Sequence, residues 1–344
     1  MRGEADEKRA ERGTVRDRPV GRRPGNVLLI AVTLLGAVWV AFAVWFQTDP
    51  PWRWLWLAVI AITAGGIFRN IGRRRIAALL QLIFAILVIG VWWDSITPSN
   101  DREWAGDVAR GVRAEIIGSQ AVLHDVRNFD WRSRQDYSPR WETRRYDIDK
   151  ITSVDLVSSV WASPAIAHTM ISFGFSNGDH VVFSAEIRRE AHETFSEIGG
   201  FFRQFELVMI AADESDIVRL RTNIRREDVS LFPLRVSPEQ ARGLFLSYIE
   251  KGNQLADKPQ FYQTVTTNCT TLIFKLAQLV EPGIPMDWRI LLSGYLPDYL
   301  YDHDVIRRDL PMDRIRQKAR ISKRAQEAQD HSNYSEVIRA GVLH

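Results

Sequence analysis

The chain has one cysteine, Cys269, which stands directly before an apolar helical pattern. After it, apolar residues recur at the 3.6-residue spacing of an amphipathic helix that ends at residues 281–283. The preceding Asn268 is a residue type whose side chain accepts hydrogen bonds from the free N–H groups of a helix's first turn. A thiol at that position lies at the positive end of the helix dipole, which favours the nucleophilic thiolate. The sequence therefore predicts a cysteine nucleophile, and a merely buried small cysteine stays the alternative until a base is found.

A general base is predicted from residues 168–188, where apolar and polar residues alternate in two successive runs. This alternation predicts a β-hairpin with one dry face and one polar face. A two-residue turn would place dry residues beside polar ones, so the pattern favours a three-residue loop at 176–178. That register sets His168 directly across from Glu186 on the polar face. A cysteine, a histidine and a facing carboxylate are the parts of a thiol nucleophile, its base and the group that orients the imidazole.

Two alternatives to this site compete within the same hairpin. His168 could merely begin a strand while Glu186 pairs with a surface cation such as Arg188. His180 is the second choice for a site histidine, but the same register moves it to the turn end of the hairpin. The sequence thus favours His168 and keeps His180 as the competitor.

Three uncharged apolar runs near the N-terminus predict a membrane anchor within residues 26–94, and tryptophans cluster beside them. The predicted spans are 26–46, 54–68 and 76–93. The charged, apolar-poor residues 1–25 predict a disordered tail. This tail and the loop 69–75 are basic, so both should be cytoplasmic and everything after Asp94 periplasmic, at a bacterial inner membrane.

Composition and motifs exclude several other functions. The net charge of +3 is small and partly reflects arginines near the apolar runs, so nucleic acid is not an expected partner. The sequence has no glycine-rich phosphate loop, no zinc-type Cys or His pair and no acidic calcium loop, so no cofactor and no metal are expected. In an oxidising periplasm, one cysteine has no intrachain disulfide partner.

The rest of the chain has the composition of an α+β domain. We expect a short helix and a strand within 108–131, further strands at 202–210 and 216–220, a turn at 213–216 and a helix from Ser237 to about Lys251. Residues 281–344 form a C-terminal helical extension whose stretch 288–301 should either lie on the bilayer or pack on the domain.

Residues 100–280 resemble the Lnb-type periplasmic domain family, through the segments SPAIAHTMISFGFSNGDHVVFSAEIRRE, FFRQFELVMI and FYQTVTTNCTT. Members are similar to circularly permuted papain-like (NlpC-type) thiol enzymes and to lecithin-retinol acyltransferase, in which the histidine strand precedes the cysteine helix. By this resemblance His168, Glu186 and Cys269 take the catalytic positions, with Asn268 and Tyr262 in the motif around the nucleophile. The resemblance implies acyl transfer at the membrane, with phospholipid or lipoprotein as partner.

The expected function is therefore a membrane-anchored periplasmic acyltransferase or hydrolase that works through an acyl-thioester. A cell-wall amidase or peptidase is the enzymatic alternative, and a non-catalytic envelope binding or scaffold domain is the alternative of another class. The surroundings of Cys269 should discriminate among the three. An apolar pocket favours acyl chains, a polar groove favours peptides, and a closed site favours the scaffold.

Overall fold

The computed structural model describes residues 24–328 and 333–343, and the chain divides after Thr97 into two compact units. Most of the tail predicted at 1–25 lies outside the described residues; its last two residues, Pro24 and Gly25, begin the first helix.

The first unit consists of three long apolar helices, α1 Pro24–Gln47, α2 Trp52–Ile71 and α3 Arg75–Ser95. Their mean hydropathies are 2.7, 1.5 and 2.5, and each helix is long enough to cross a membrane. Large apolar side chains along them are exposed, as expected for helices whose solvent is lipid. The three predicted apolar helices are thus confirmed, and each extends a few residues beyond the predicted run.

The second unit is a mixed α/β domain whose described residues begin at Pro98. Its strands are β1 Arg113–Ile117, β2 Gln120–Arg127, β3 Asp130–Trp131, β4 Tyr137–Ser138, β5 Trp141–Asp147, β6 Ile151–Ser163, β7 Ile166–Phe175, β8 His180–Arg188, β9 Glu206–Ala212 and β10 Asp228–Pro233. Its helices are α4 Glu214–Arg219, α5 Pro238–Asp257, α6 Cys269–Val280, α7 Leu296–Asp302, α8 Met312–Ala319, α9 Ser322–Glu327 and α10 Tyr334–Arg339. The main sheet has the strand order β1-β2-β9-β8-β7-β6-β10, and β5 pairs with β2 outside this path.

The hairpin β7–β8 has the register that the alternation predicts. Phe173 pairs with Val181, and the N–H of Phe175 donates to the carbonyl of Asp179 at 2.9 Å. The loop between the strands is 176–178, and Gly178 adopts a left-handed φ of 87°, a conformation that glycine accepts without strain. Successive side chains therefore alternate between the two faces of the sheet, as the predicted polar and dry faces require.

The dry face of the hairpin packs against α5 and α6. Phe173 and Phe183 of the hairpin contact Phe245 of α5 edge to face, and all three are fully buried. Ser237 caps α5 in a capping box with Gln240, as its sequence predicts, and the helix continues six residues beyond the predicted Lys251. This core fixes where α6, and with it Cys269, meets the sheet.

The opposite face carries α4, α9 and α10, where two predictions are wrong. Asp213 caps α4 instead of forming part of a simple turn, and the strand expected at 216–220 is the end of α4 followed by a π-helical turn. Asp216 is fully buried because the guanidinium of Arg127 binds both of its oxygens, at 2.9 and 3.0 Å. The short helix expected over residues 108–117 is also wrong, because Arg113–Ile117 is strand β1 and only a 3₁₀ turn, Gly106–Val108, precedes it.

Part of the stretch 288–301 packs on the domain, whereas Trp288, Leu291 and Leu292 are exposed. Ile290, Leu296 and Tyr299 are buried in the same core as α5 and α6. Further along, Arg339 of α10 forms ion pairs with the buried Asp155 at 2.8 Å and with the buried Glu214 at 2.6 Å, which fastens the C-terminal helices to the sheet.

Candidate active site

Cys269 is the first residue of α6, and the segment before it is built to start a helix there. The side chain of Asn268 accepts a hydrogen bond from the N–H of Thr271 at 2.8 Å, and the hydroxyl of Thr271 accepts one from the N–H of Asn268 at 2.9 Å. This reciprocal capping box ends the preceding loop and leaves the thiol at the positive end of the helix. The cysteine is 9% exposed, so little water competes with its neighbours.

His168 and Glu186 meet across the hairpin, where the predicted register places them. Nε2 of His168 lies 3.1 Å from Oε1 of Glu186 and 2.7 Å from the hydroxyl of Ser184. That hydroxyl in turn donates to Oε1 of Glu186 at 2.7 Å. Because Nε2 is engaged by these two groups, Nδ1 is the ring nitrogen left for the thiol. The imidazole is thus oriented by a carboxylate and a hydroxyl together.

The thiol and the imidazole are brought together by contacts between β7 and α6. The hydroxyls of Thr169 and Thr270 lie 3.0 Å apart and join the start of the strand to the first turn of the helix. Burial alone raises the pKa of the Cys269 thiol. The charge and hydrogen bond of His168 and the hydrogen bonds of Thr169 outweigh burial, so the pKa falls to about 6. Burial and Arg221 lower the pKa of His168, yet Glu186 and Cys269 raise it overall to about 9. A thiolate–imidazolium pair is the form these shifts favour.

A buried cation beyond the carboxylate completes the arrangement. Nη2 of Arg221 lies 3.2 Å from Oε1 of Glu186, and its Nη1 lies 3.4 Å from Glu227, whose carboxylate also accepts from the hydroxyl of Ser159. Burial raises the pKa of Glu186, but His168 and Arg221 hold it well below its ordinary value. Glu186 therefore stays charged beside the imidazole.

The sequence analysis did not identify Ser184 and Arg221 as residues of the site, for different reasons. Ser184 shares the polar face of the hairpin with Glu186, so the alternation itself contained that signal. Arg221 lies in the π-helical turn Leu220–Ile224, in a stretch whose pattern predicts a strand, and nothing in its neighbours indicates a long-range partner.

The three supporting residues predicted from the sequence, Asn268, Tyr262 and His180, differ in their position relative to Cys269. Asn268 caps the cysteine helix. Tyr262 is half-buried, and burial followed by the charge of Cys269 raises the pKa of its hydroxyl, which indicates that it lies near the thiol. His180 lies at the turn end of the hairpin, where its Nδ1 is 3.0 Å from the carbonyl of Gly178. The structure therefore brings His168, and not His180, to the cysteine.

The Cys269 thiol is nearly buried. His168, like Cys269, is 9% exposed, so the reacting groups are nearly covered. Within residues 24–328 and 333–343, no group of three or more His, Cys, Asp or Glu side chains could hold a metal ion. A cysteine, a histidine and a carboxylate in this arrangement have the geometry that a thiol nucleophile with an oriented base requires.

No curated protein and no solved structure matches this chain. Residues 137–294 match the family described as the Lnb N-terminal periplasmic domain, so the family resemblance drawn from the sequence is confirmed. The match begins later than the predicted residue 100 and includes the hairpin and the cysteine helix. With three helices of membrane-spanning length, it indicates a membrane-associated protein with a periplasmic domain. The part of the chain that contains Cys269, His168 and Glu186 is thus similar to the Lnb N-terminal periplasmic domain family.

Proposed function

We propose that this protein is a membrane-anchored, cysteine-dependent acyltransferase or hydrolase that acts on phospholipid or lipoprotein through an acyl-thioester at Cys269. The proposal rests on the arrangement of three side chains: Cys269 at a helix N-terminus, His168 beside it and Glu186 behind the imidazole. In this arrangement the pKa of the thiol falls to about 6. A purely structural cysteine needs neither an imidazole nor a buried carboxylate behind it. The same arrangement fits a nucleophile, its general base and the group that orients the base.

In the proposed first step, the Cys269 thiolate attacks the carbonyl carbon of the acyl group. The N–H groups of Cys269 and Thr270, which precede the capped N–H of Thr271, would stabilise the negative charge that develops on the carbonyl oxygen. As the tetrahedral intermediate collapses, the bond from the acyl carbon to the leaving oxygen or nitrogen breaks, and the His168 imidazolium gives its proton to the leaving group. The product of this step is a thioester and neutral His168.

In the second step, an amine or a water molecule attacks the thioester carbon. His168 accepts the proton of the attacking group, the carbon–sulfur bond breaks, and the thiolate–imidazolium pair is restored. Glu186, held charged by Arg221, stabilises the imidazolium at both stages. An amine acceptor makes the reaction an acyl transfer, and water makes it a hydrolysis.

The fold that we propose for this chemistry is a circularly permuted papain-like architecture of the NlpC type. The histidine strand β7 precedes the cysteine helix α6 in the chain, and α6 packs on the same hairpin that carries the carboxylate. This order and packing support the permutation predicted from the family resemblance.

We also propose that the N-terminus is cytoplasmic and that the domain after residue 94 lies in the periplasm of a bacterial inner membrane. The connection between α2 and α3 carries Arg73 and Arg74 and is followed by Arg75 at the start of α3, whereas the loop between α1 and α2 ends in Asp49 and two prolines. Basic connections are retained on the cytoplasmic side, which supports this orientation.

Two other functions remain as alternatives. The near closure of the site favours a non-catalytic binding or scaffold domain, since Cys269 and His168 are each only 9% exposed. A cell-wall amidase or peptidase would use the same three residues on a different acyl group. The identity of an adduct on the cysteine separates all three functions.

The proposal is tested by incubating the purified full chain in detergent with phospholipid and then measuring its intact mass. We expect one fatty-acyl group on the chain, removed by hydroxylamine as a thioester is and absent in Cys269→Ser. Because the sequence has one cysteine, a hydroxylamine-sensitive adduct is assigned without ambiguity.

A peptide or murein adduct from envelope fractions would select the amidase or peptidase. No adduct from any fraction, together with ordinary thiol reactivity, would select the scaffold domain. His168→Ala serves as a second control, because the base is lost while the thiol remains.

A further inference from the structure

Large apolar side chains are exposed on segments that surround the Cys269 site. They come from the tip between β6 and β7, from the loop that joins β8 to β9, and from the segment before α6, and each is between 36% and 57% exposed. We call these residues the apolar rim: Trp161, Ile166, Phe195, Ile198, Phe201 and Val265. Exposed large apolar side chains that group on one side of a domain are a feature of interaction sites.

The rim lies at the end of the sheet that holds the site. In the antiparallel order of β6, β7, β8 and β9, the end of β6, the start of β7, the end of β8 and the start of β9 coincide. His168 and Glu186 occupy this end. The two rim loops extend from it, so the rim and the reacting thiol share one side of the domain.

The rim segments are held in place by hydrogen bonds. The hydroxyl of Thr264, just before the cysteine helix, donates to the carbonyl of Glu197 at 3.0 Å. The hydroxyl of Ser293 accepts from the N–H of Ala167 at 2.8 Å, beside Ile166. The loops that carry the exposed apolar side chains are therefore fixed by hydrogen bonds to neighbouring segments.

The chain also joins the domain at this end of the sheet. The N–H of Ser99 donates to Glu206 at the start of β9, and the N–H of Ala191 donates to the carbonyl of Glu103 at 2.8 Å. Phe195 of the rim follows Ala191 by four residues. Three residues, 96–98, lie between Ser95, the last residue of α3, and Ser99.

We propose that the apolar rim docks on the surface of the bilayer that the three helices cross, so that Cys269 meets acyl groups carried by membrane lipids. The same chain carries three helices long and apolar enough to cross a membrane, and tryptophan and phenylalanine are residue types that favour the membrane interface. Inserting the rim at the boundary between headgroups and acyl chains removes its apolar area from water.

This inference rests on the proposed function for its substrate, and it narrows that substrate. Ester carbonyls of a glycerolipid lie at the boundary between headgroup and hydrocarbon, the depth to which an interfacial apolar face inserts. The substrate class is then an acyl ester held in a bilayer, and a freely soluble peptide lacks that means of presentation. The docking itself is independent of the chemistry and can be measured without turnover.

The docking is tested by photolabelling the full chain in vesicles of phosphatidylethanolamine and phosphatidylglycerol that contain a phospholipid with a diazirine at the top of its acyl chain. We expect label on peptides that contain residues 161–166 and 195–201. Ile116 and Ile117 of β1, which are 45% and 62% exposed and lie on an edge strand that carries no site residue, should stay unlabelled. Label confined to residues 24–95 would overturn the proposal.

A matched pair of variants tests what the rim does for the reaction. Phe195→Gln/Ile198→Gln/Phe201→Gln should lower the rate of Cys269 acylation from vesicles on the order of tenfold or more, because three apolar side chains no longer leave water. Ile116→Gln/Ile117→Gln should leave that rate unchanged. Both variants should keep the wild-type rate of iodoacetamide alkylation at Cys269, which establishes that the site is intact.

The outcomes separate the docking from the reaction. Rim photolabelling without any acyl adduct would keep the docking and remove the proposed reaction. Acylation with an unlabelled rim and unaffected rim variants would keep the reaction and overturn the docking. A rim variant that converts a dimer to a monomer while lipid labelling stays constant would make the rim an interface between copies, which also overturns the proposal.

Discussion

At the scale of single residues, Glu186 determines the charge state of the imidazole. Its carboxylate contacts Nε2 of His168 at 3.1 Å and is itself supported by Ser184 and Arg221. Glu186→Gln keeps the shape and a hydrogen bond but removes the charge that stabilises the imidazolium. We expect acyl transfer to fall on the order of 10²-fold or more while the domain stays folded, measured as the rate of thioester formation.

His180→Gln is the matched control for that prediction. It changes a histidine on the same hairpin whose ring is bound at the turn, 3.0 Å from the carbonyl of Gly178. We expect little change in the rate of thioester formation. Equal losses in the two variants would contradict the assignment of Glu186 as the orienting carboxylate.

The pKa shifts of His168 and Cys269 define the pH range in which the thiolate–imidazolium pair stabilises the folded domain. His168 has a folded pKa of about 9, above its ordinary 6.5, so its ion pair contributes stability that is complete below 6.5 and is lost as the pH rises through about 9. Cys269 has a folded pKa of about 6, below its ordinary 9.0, so its contribution is complete above 9.0 and is lost as the pH falls through about 6. The thiolate–imidazolium pair therefore predominates between about 6 and about 9.

At the scale of elements, the cap of α6 positions the nucleophile. Asn268→Ala removes the acceptor for the N–H of Thr271 and should lower the free energy of unfolding by about 1 kcal/mol. Because the cysteine is the first helical residue, the rate of thioester formation should fall as well. Stability can be measured as resistance of the folded domain to protease in increasing urea.

Ser237→Ala is the control, since Ser237 caps α5 with the same kind of capping box and carries no site residue beside it. It should cost a similar amount of stability and leave thioester formation unchanged. If both variants lost activity in proportion to stability, the cap of α6 would have no positioning role.

Sequence periodicity predicted the elements whose patterns are local. The hairpin β7–β8, its loop and its register followed from alternation, because a shift by one residue would turn every dry side chain to the wrong face. The cysteine helix followed from its cap and apolar stripe. The pattern failed at residues 213–220, where Glu214 and Asp216 are buried by partners from other elements, so polarity there does not indicate exposure.

At the scale of the whole molecule, the charge of the connections between helices supports the proposed membrane topology. A phosphatase reporter that is active only outside the cytoplasm should be active when fused after Asp94 and inactive when fused after Gly72. The physical reason is the arginine-rich connection between α2 and α3, which resists translocation. The opposite pattern of reporter activity would contradict the periplasmic location of the site.

Long-range order could not be predicted from the sequence. Arg221 reaches Glu186 from 35 positions away, and Arg339 reaches Asp155 from 184 positions away. Neither pair has a periodic signal, because ion pairs between distant elements depend on sheet order and on helix packing. The sequence therefore predicted that His168, Glu186 and Cys269 come together, whereas the buried cation behind the carboxylate required the structure.

The pH dependence of alkylation by iodoacetamide measures whether Cys269 is a thiolate activated by His168, as we propose. The single cysteine makes the measured rate specific to the site. We predict that the rate in the full chain rises with a midpoint near pH 6, and that His168→Ala moves the midpoint up toward the ordinary thiol pKa of 9.0. A midpoint at the ordinary value in both proteins, or a thiol that stays inert until the chain unfolds, would contradict the account.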